Sequence, residues 1–143
     1  MNIMKIKALL MLGLGVLSGN LYAKDYLIST PNTSLLITAV PGEKSKFQYY
    51  GCRIFEKDIQ GIYDSGLAFG LESYPVFGLN TPGERAMAVT HADGNMSLDL
   101  AVEEVKQYTS NEAEVTEIRM KDKVYPFVLK QIYKAYKGTD IIS

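Results

Sequence analysis

Asp93-Gly94-Asn95-Met96-Ser97-Leu98-Asp99-Leu100-Ala101-Val102, residues 93–102, is the stretch on which the fold turns. Gly94 can adopt the positive φ that a tight hairpin turn demands, and Asp and Asn flank it. Beyond the turn, Leu98, Leu100 and Val102 alternate with Asp99, the two-residue period of a half-buried strand. The spacing predicts a strand over residues 97–108. Its pattern slips at Glu103-Glu104, which predicts a bulge or bend there. A helix through Glu103-Glu104-Val105-Lys106 is the competing reading, but no 3.6-residue apolar stripe sustains it.

Outward from this strand the same grammar repeats. On the N-terminal side, residues 85–91 predict a short strand that pairs across the Gly94 turn. On the C-terminal side Asn111-Glu112 makes a turn, residues 113–120 a strand, and Lys121-Asp122-Lys123 a charged turn. Within residues 113–120 Val115 is out of phase with Ile118 and Met120, which leaves the register open. Residues 125–136 set Phe127, Leu129, Tyr133 and Ala135 against Lys130 and Lys134, a strand with one solvated face. Lys137-Gly138 closes it, and Thr139-Asp140-Ile141-Ile142-Ser143 opens another strand that stops at once. The expectation from that pattern is a fold truncated at its C-terminus.

Earlier in the chain, Leu35, Ile37 and Ala39 alternate with Leu36, Thr38 and Val40 in a nearly continuous apolar segment that predicts a strand buried on both faces, ended by Pro41-Gly42. Residues 46–54, rich in aromatic and β-branched side chains, predict a second strand. Residues 58–83 carry five glycines and two prolines and read as a long loop of the length that often serves function. Strands joined by turns without helical intervals predict an all-β fold, an antiparallel sandwich of two packed sheets.

The first residues stand apart. Lys5 and Lys7 precede an apolar run over residues 8–17, and Leu21-Tyr22-Ala23 ends in a small residue. That order is a secretory signal peptide over residues 1–23, and it predicts an exported, periplasmic or extracellular domain of residues 24–143. The apolar core is shorter than the roughly 20 residues a spanning helix requires, so no membrane attachment is expected after cleavage. Losing Lys5 and Lys7 takes the net charge from −1 to −3. With no basic cluster, nucleic-acid binding is not expected.

Candidate chemistry is sparse. Cys52 and His91 are the only residues of their kinds. Cys52 is expected to be buried as a small apolar side chain, and His91 to sit in a turn. Together they cannot close a structural zinc site, and Asp93 and Asp99 lack the ligand density of a calcium loop, so no metal or cofactor is expected. Glu103 and Glu104, being adjacent in a strand, point to opposite faces and cannot flank one bond. Tyr49, Tyr50, Tyr63 and Tyr74 could offer sugar-stacking faces. Packing is the expectation for Tyr49 and Tyr50, whereas Tyr74, beside Pro75 in the long loop, is the better binding candidate.

Several segments resemble glycoside hydrolase family 36, the α-galactosidases. Tyr26-Leu27-Ile28-Ser29-Thr30 and Asn32-Thr33-Ser34-Leu35 are similar to the family's opening strand pair, and Gln48-Tyr49-Tyr50-Gly51 to its aromatic-glycine step. Glu72-Ser73-Tyr74-Pro75-Val76-Phe77-Gly78 resembles the loop entering the active-site side. Residues 86–89, Asp93-Gly94, Leu98-Asp99-Leu100 and the final Thr139-Asp140-Ile141-Ile142-Ser143 continue the likeness, which runs from about Asp25 to the last residue.

The resemblance implies a β-supersandwich preceding a (β/α)₈ barrel whose two carboxylates cleave terminal α-galactosides with retention. Such a barrel takes about 250 residues. The catalytic pair is therefore expected outside this chain, and no residue here is assigned a catalytic role. The expected partners are that C-terminal barrel and galactose-containing oligosaccharides. The family's sandwich can also lend a loop to a neighbouring subunit's sugar pocket, which implies a homo-oligomeric intact enzyme. The family's loop carries an aspartate three residues after a glycine and ends in Pro-Ala. Aligned on Gly78 and Ala86, this chain has Thr81 and Arg85 at the aspartate and proline positions. Asn80 or Glu84 is then the expected sugar contact, beside Tyr74. Three functions follow as alternatives: the accessory domain of such an enzyme, a free-standing carbohydrate-binding module, or an oligomerisation unit.

Overall fold

Residues 35–40 are apolar except for Thr38 because the strand that most of them form is covered on both sides. The computed structural model describes residues 24–76 and 84–143. In it, β2 (Thr33–Thr38) lies between β1 (Asp25–Ser29) and β3 (Lys46–Cys52), all antiparallel, with the two-residue β4 (Leu71–Glu72) on the far side of β3. Leu35 and Ile37 join the main core, while Leu36 is fully buried on the opposite face. On that opposite face Tyr63 of the short helix α1 (Ile59–Asp64) reaches Thr38. A slip in the β2–β3 ladder between Leu36 and Ile37 leaves Gln48 as the extra residue of β3.

A second sheet of β5 (Leu100–Thr109), β6 (Ala113–Asp122) and β7 (Val128–Tyr136), again antiparallel, packs against the first. The core joins Tyr26, Ile28, Leu35, Ile37 and Ala39 of one sheet and its margin to Leu98, Leu100, Val102, Ile118, Met120 and Ala135 of the other. The expected all-β sandwich is therefore the observed one. Each fully buried aliphatic side chain in this layer contributes about 1.5–3 kcal/mol.

Several local expectations hold. The β5–β6 ladder slips between Val102 and Glu104, where the alternation broke. Asn111-Glu112 lies at the β5–β6 turn, with Ser110 N donating to Ala113 O at 2.8 Å. β6 resolves its own ambiguous phase by burying both faces: Ala113 and Val115 on one, Thr116, Ile118, Met120 and Asp122 on the other. After β7, Ile142 bridges back to Ala135, and Lys134 and Ser143 exchange backbone bonds at 2.8 and 3.0 Å. The final residues thus begin a further antiparallel pairing.

Other expectations are corrected. Residues 85–91 form no strand. Asp93 Oδ1 accepts from Asn95 N and Asn95 Oδ1 from Ser97 N, so side chains satisfy the turn and outcompete a ladder around it. Gly94 does take φ 83°, and His91 N donates to Asn95 O, so the turn exists without its hairpin. Residues 58–83 are not all loop: α1 was hidden because a six-residue helix with one buried side chain, Ile62, shows no periodicity. Cys52 is exposed, since β3 runs out to solvent at its end, and Tyr50 is likewise exposed where packing was expected. Residues 1–23 and 77–83, where the expected leader and Asn80 fall, lie outside the described residues.

The expected charged turn at 121–123 is a strand end built on a buried carboxylate. Asp122 accepts backbone N–H bonds from Asp99, Val124 and Tyr125 at 2.7, 2.8 and 2.7 Å. Burial acts to raise its pKa, but these three donors prevail and hold it below the ordinary value. Asp140 plays the corresponding part at the other end of the sandwich. It accepts from the Asn32 side chain at 2.7 Å, Asn32 N at 2.8 Å and Thr30 Oγ1 at 3.0 Å, tying the β1–β2 turn to the turn after β7. Bonds from the Asn32 side chain and backbone, then Thr30, lower its pKa as well.

A carboxyl whose folded pKa is depressed stabilises the fold fully above the unfolded value of about 3.9 and loses that contribution as pH falls through the folded value. Stability is thus expected to fall as pH drops below about 4. Asp122→Asn should cost about 1–3 kcal/mol at pH 7, because it exchanges one acceptor for a donor facing N–H groups. It should also flatten the acid limb. Urea midpoints at pH 7 and pH 3 check both; identical acid limbs in the two proteins would contradict the assignment.

Candidate functional site

The crossing from the first sheet to the second is made by one tethered segment. Ser73 Oγ donates to Gln131 Oε1 at 2.9 Å, and Gln131 Nε2 donates to Ser73 O at 3.2 Å, which fixes the end of β4 against β7. Tyr74 then enters the core at 1% exposure, and its hydroxyl donates to Leu100 O at 2.9 Å. Burial, followed by the charges of Glu72, Asp99 and Asp122, pushes this phenol well above its ordinary pKa. Val76 is buried next to it in the same core, and Ala86 N donates to Pro75 O at 2.7 Å. The two flanks of residues 77–83 are therefore held at backbone hydrogen-bond distance over a rigid floor.

This placement corrects the expectation for Tyr74. Its ring is enclosed and offers no face to a sugar. Glu84 is exposed on the returning flank, and Asn80 falls outside the described residues. The structure thus separates the three sequence-predicted residues into one core anchor and one exposed carboxylate, with the third not described.

Beyond the return, His91 stacks on Tyr125 with centroids 3.5 Å apart and planes 8° from parallel, and His91 Nε2 lies 3.0 Å from Ser97 O. Tyr125 donates to Asp93 Oδ2 at 2.8 Å. Asp93, first through the Asn95 N–H and then through Tyr125, lies below its usual pKa, and the same Tyr125–Asp93 bond raises the phenol. His91 is engaged in fastening the returning segment to the β6–β7 turn, while Cys52 sits at the solvent end of β3.

A second polar feature lies on the outer face of the first sheet. Asp25 Oδ1 accepts from Thr38 Oγ1 at 2.6 Å and from Tyr63 at 2.8 Å, and Gln48 Nε2 donates to Thr38 Oγ1 at 3.0 Å. Gln48 Oε1 in turn accepts from Gly70 N at 3.1 Å. Asp25, Thr38, Gln48 and Tyr63 line an open pocket of about 250 Å³ together with Glu43, Lys44 and Lys46. Burial, with Asp25 adding to it, raises the Tyr63 pKa. Sequence reasoning passed over this network, although a threonine and a glutamine within apolar and aromatic strands were its signal.

Glu103 pairs with Arg119 and Glu104 with Lys106. Among the described residues no three His, Cys, Asp or Glu side chains converge on a point.

What the geometry defines is a two-sheet antiparallel β domain. The profile of the glycosyl hydrolase family 36 N-terminal domain matches residues 42–143, and the chain belongs to that family. Among solved structures it resembles the family 36 α-galactosidase of Geobacillus stearothermophilus. In complex with raffinose that enzyme gives a TM-score of 0.67 at 18% identity, over 83% of this chain and 21% of that one. In complex with 1-deoxygalactonojirimycin the values are 0.71, 17%, 83% and 21%. The α-galactosidase of Lactobacillus brevis gives 0.64 at 17% identity, over 84% and 20%. No curated protein sequence matches the chain. The chain spans about a fifth of the length of these structures.

Tyr63→Phe removes the bond to Asp25 and the contact with Thr38 while keeping the ring. It is expected to lower stability by about 1–2 kcal/mol, as two partly buried hydroxyl contacts would. An unchanged urea midpoint would show that the network does not fasten α1.

Proposed function

We propose that the chain is the non-catalytic N-terminal domain of an exported enzyme that hydrolyses terminal α-galactosides with retention. The observation that carries this reading is the family 36 match over residues 42–143, joined to a sandwich that corresponds to a fifth of two α-galactosidases. In this reading the two reacting carboxylates reside on a barrel outside residues 24–143, and the sandwich supports that barrel and assembles the subunits. The basic, apolar and small-residue order of residues 1–23 supports their role as the export leader.

Residues 77–84 are the sandwich's proposed contribution to sugar binding. A backbone clamp at Pro75 and Ala86 and a buried aromatic floor limit the ordering cost of presenting Asn80 and Glu84 to a hydroxylated ligand. Both side chains can accept hydrogen bonds from sugar hydroxyls.

The test is expression of the open reading frame with its downstream codons, followed by an α-galactoside hydrolysis assay. Activity is expected from the longer product and none from the 143-residue chain. Asn80→Ala and Glu84→Ala should raise KM several-fold with little change in kcat, the sign of lost uniform binding. A stop codon directly after Ser143 would overturn the reading. A monomer that binds galactosides would then be a free-standing carbohydrate-binding module, and a tight oligomer without sugar affinity an assembly unit.

A further inference from the structure

The outer face of the first sheet carries a polar row that crosses all its strands. Asp25 of β1 opposes Thr38 of β2, Thr38 opposes Lys46 of β3, and Lys46 opposes Glu72 of β4. Tyr63 of α1 reaches the first two of these residues. Thr38 and Gln48, each more than nine-tenths buried, line the same pocket as Asp25, Lys46 and Tyr63.

The hydrogen-bond capacity of these groups is only partly spent. Thr38 Oγ1 and Tyr63 Oη have one proton each, and both protons go to Asp25 Oδ1, at 2.6 and 2.8 Å. The 3.0 Å contact between the two hydroxyls therefore holds no proton of its own. Gln48 is fixed in one orientation, because the Gly70 N–H requires Oε1 as its acceptor, and one of its two Nε2 protons goes to Thr38. Among the described residues, a mixed set is left over. Asp25 Oδ2 and the Tyr63 lone pairs remain as acceptors, and the second Nε2 proton of Gln48 and the Lys46 ammonium remain as donors. The internal bonds hold most of this set in place before any ligand arrives, which lowers the ordering cost of binding.

That set selects its ligand. The lining holds two carboxylates, Asp25 and Glu43, and two ammoniums, Lys44 and Lys46, so neither an anion nor a cation meets an excess of opposite charge. Lys44 is further engaged by Glu72 Oε1 at 3.1 Å. Acceptors beside donors suit a group that is both at once, and a hydroxyl is such a group: it donates to Asp25 or Tyr63 while accepting from Gln48 or Lys46. Val40 and Tyr63 add apolar surface against which the C–H face of a ring can lie. The volume of about 250 Å³ falls below the roughly 300–1,000 Å³ of pockets that enclose drug-sized ligands, which suits a single ring.

We propose that this pocket binds one ring of a neutral sugar, with Asp25 and Tyr63 accepting from its hydroxyls and Gln48 and Lys46 donating to them. The inference goes beyond the proposed function, since it requires neither residues 77–84 nor a catalytic barrel. It makes the network that fastens α1 a binding surface as well.

Amide NMR of the isotope-labelled 143-residue chain, titrated separately with galactose, glucose and inorganic phosphate, tests it. At least one of the sugars should shift the amides of Asp25, Thr38 and Gly70 and the side-chain amide of Gln48, and phosphate should not. Lys46→Met alters an exposed side chain outside the internal network, so it should weaken sugar binding about three- to tenfold and leave the urea midpoint unchanged. Glu84→Ala should leave the shifts intact. Where folding requires a longer product, slower hydrogen exchange of peptides spanning residues 38–48 and 63–70 on sugar addition is the equivalent readout. No response to either sugar at these groups, a larger response to phosphate, or unaltered affinity in Lys46→Met would overturn the inference and leave the proposed function standing. Loss of the response in Glu84→Ala would also overturn it, because the sugar would then be held by residues 77–84.

Discussion

Tyr74 donates to the Leu100 carbonyl from a position almost wholly shielded from water, and that placement governs how the two sheets can meet. The sheets share no strand: one is built from residues 25–72, the other from residues 100–136. A backbone bridge between Pro41 and Val102 joins their margins, with Gly42 N donating to Val102 O at 2.8 Å and Val102 N to Glu43 O at 2.7 Å. The rest of their union is face-to-face apolar packing, which by itself has little directional preference. A buried hydroxyl needs a partner, and this one finds it where β5 begins, so the tyrosine adds a fixed point inside the core to the bridge at its margin. The paired bonds between Ser73 and Gln131 add a further point of registration one residue earlier.

From that alignment follow the polar fastenings at the periphery. Asp122 closes the turn after β6, and Asp140 closes the opposite end by reaching the β1–β2 turn. The Pro75–Ala86 bond and the His91–Tyr125 stack then hold the long connection against the second sheet. The residues on either side of 77–83 are thus tied to the core and to the second sheet.

The sequence was legible where side-chain burial follows a simple period. Leu98, Leu100 and Val102 announced their strand, and the charged pair Glu103-Glu104 announced its bulge, because a two-residue alternation leaves no other way to read them. It was misleading where a side chain does backbone work. Asp122 reads as a solvated turn residue, yet its carboxylate is buried under three N–H donors. Asp93 and Asn95 read as the tip of a hairpin, yet their side chains satisfy the turn and leave residues 85–91 without a ladder. Tyr74 misled for a related reason: proline and glycine neighbours suggested an exposed loop, whereas the long-range bond to Leu100 lies 26 residues away and has no local signature.

The claim on which the account stands is that Tyr74 aligns the sandwich and does not present itself to a ligand. Urea unfolding of Tyr74→Phe measures this most directly, since the substitution keeps the ring and removes only the hydroxyl. The account predicts a single cooperative transition with stability reduced by about 0.5–1.5 kcal/mol, the value of one buried hydrogen bond. An unchanged midpoint, accompanied by weakened galactoside affinity, would contradict it and return Tyr74 to the surface of the loop.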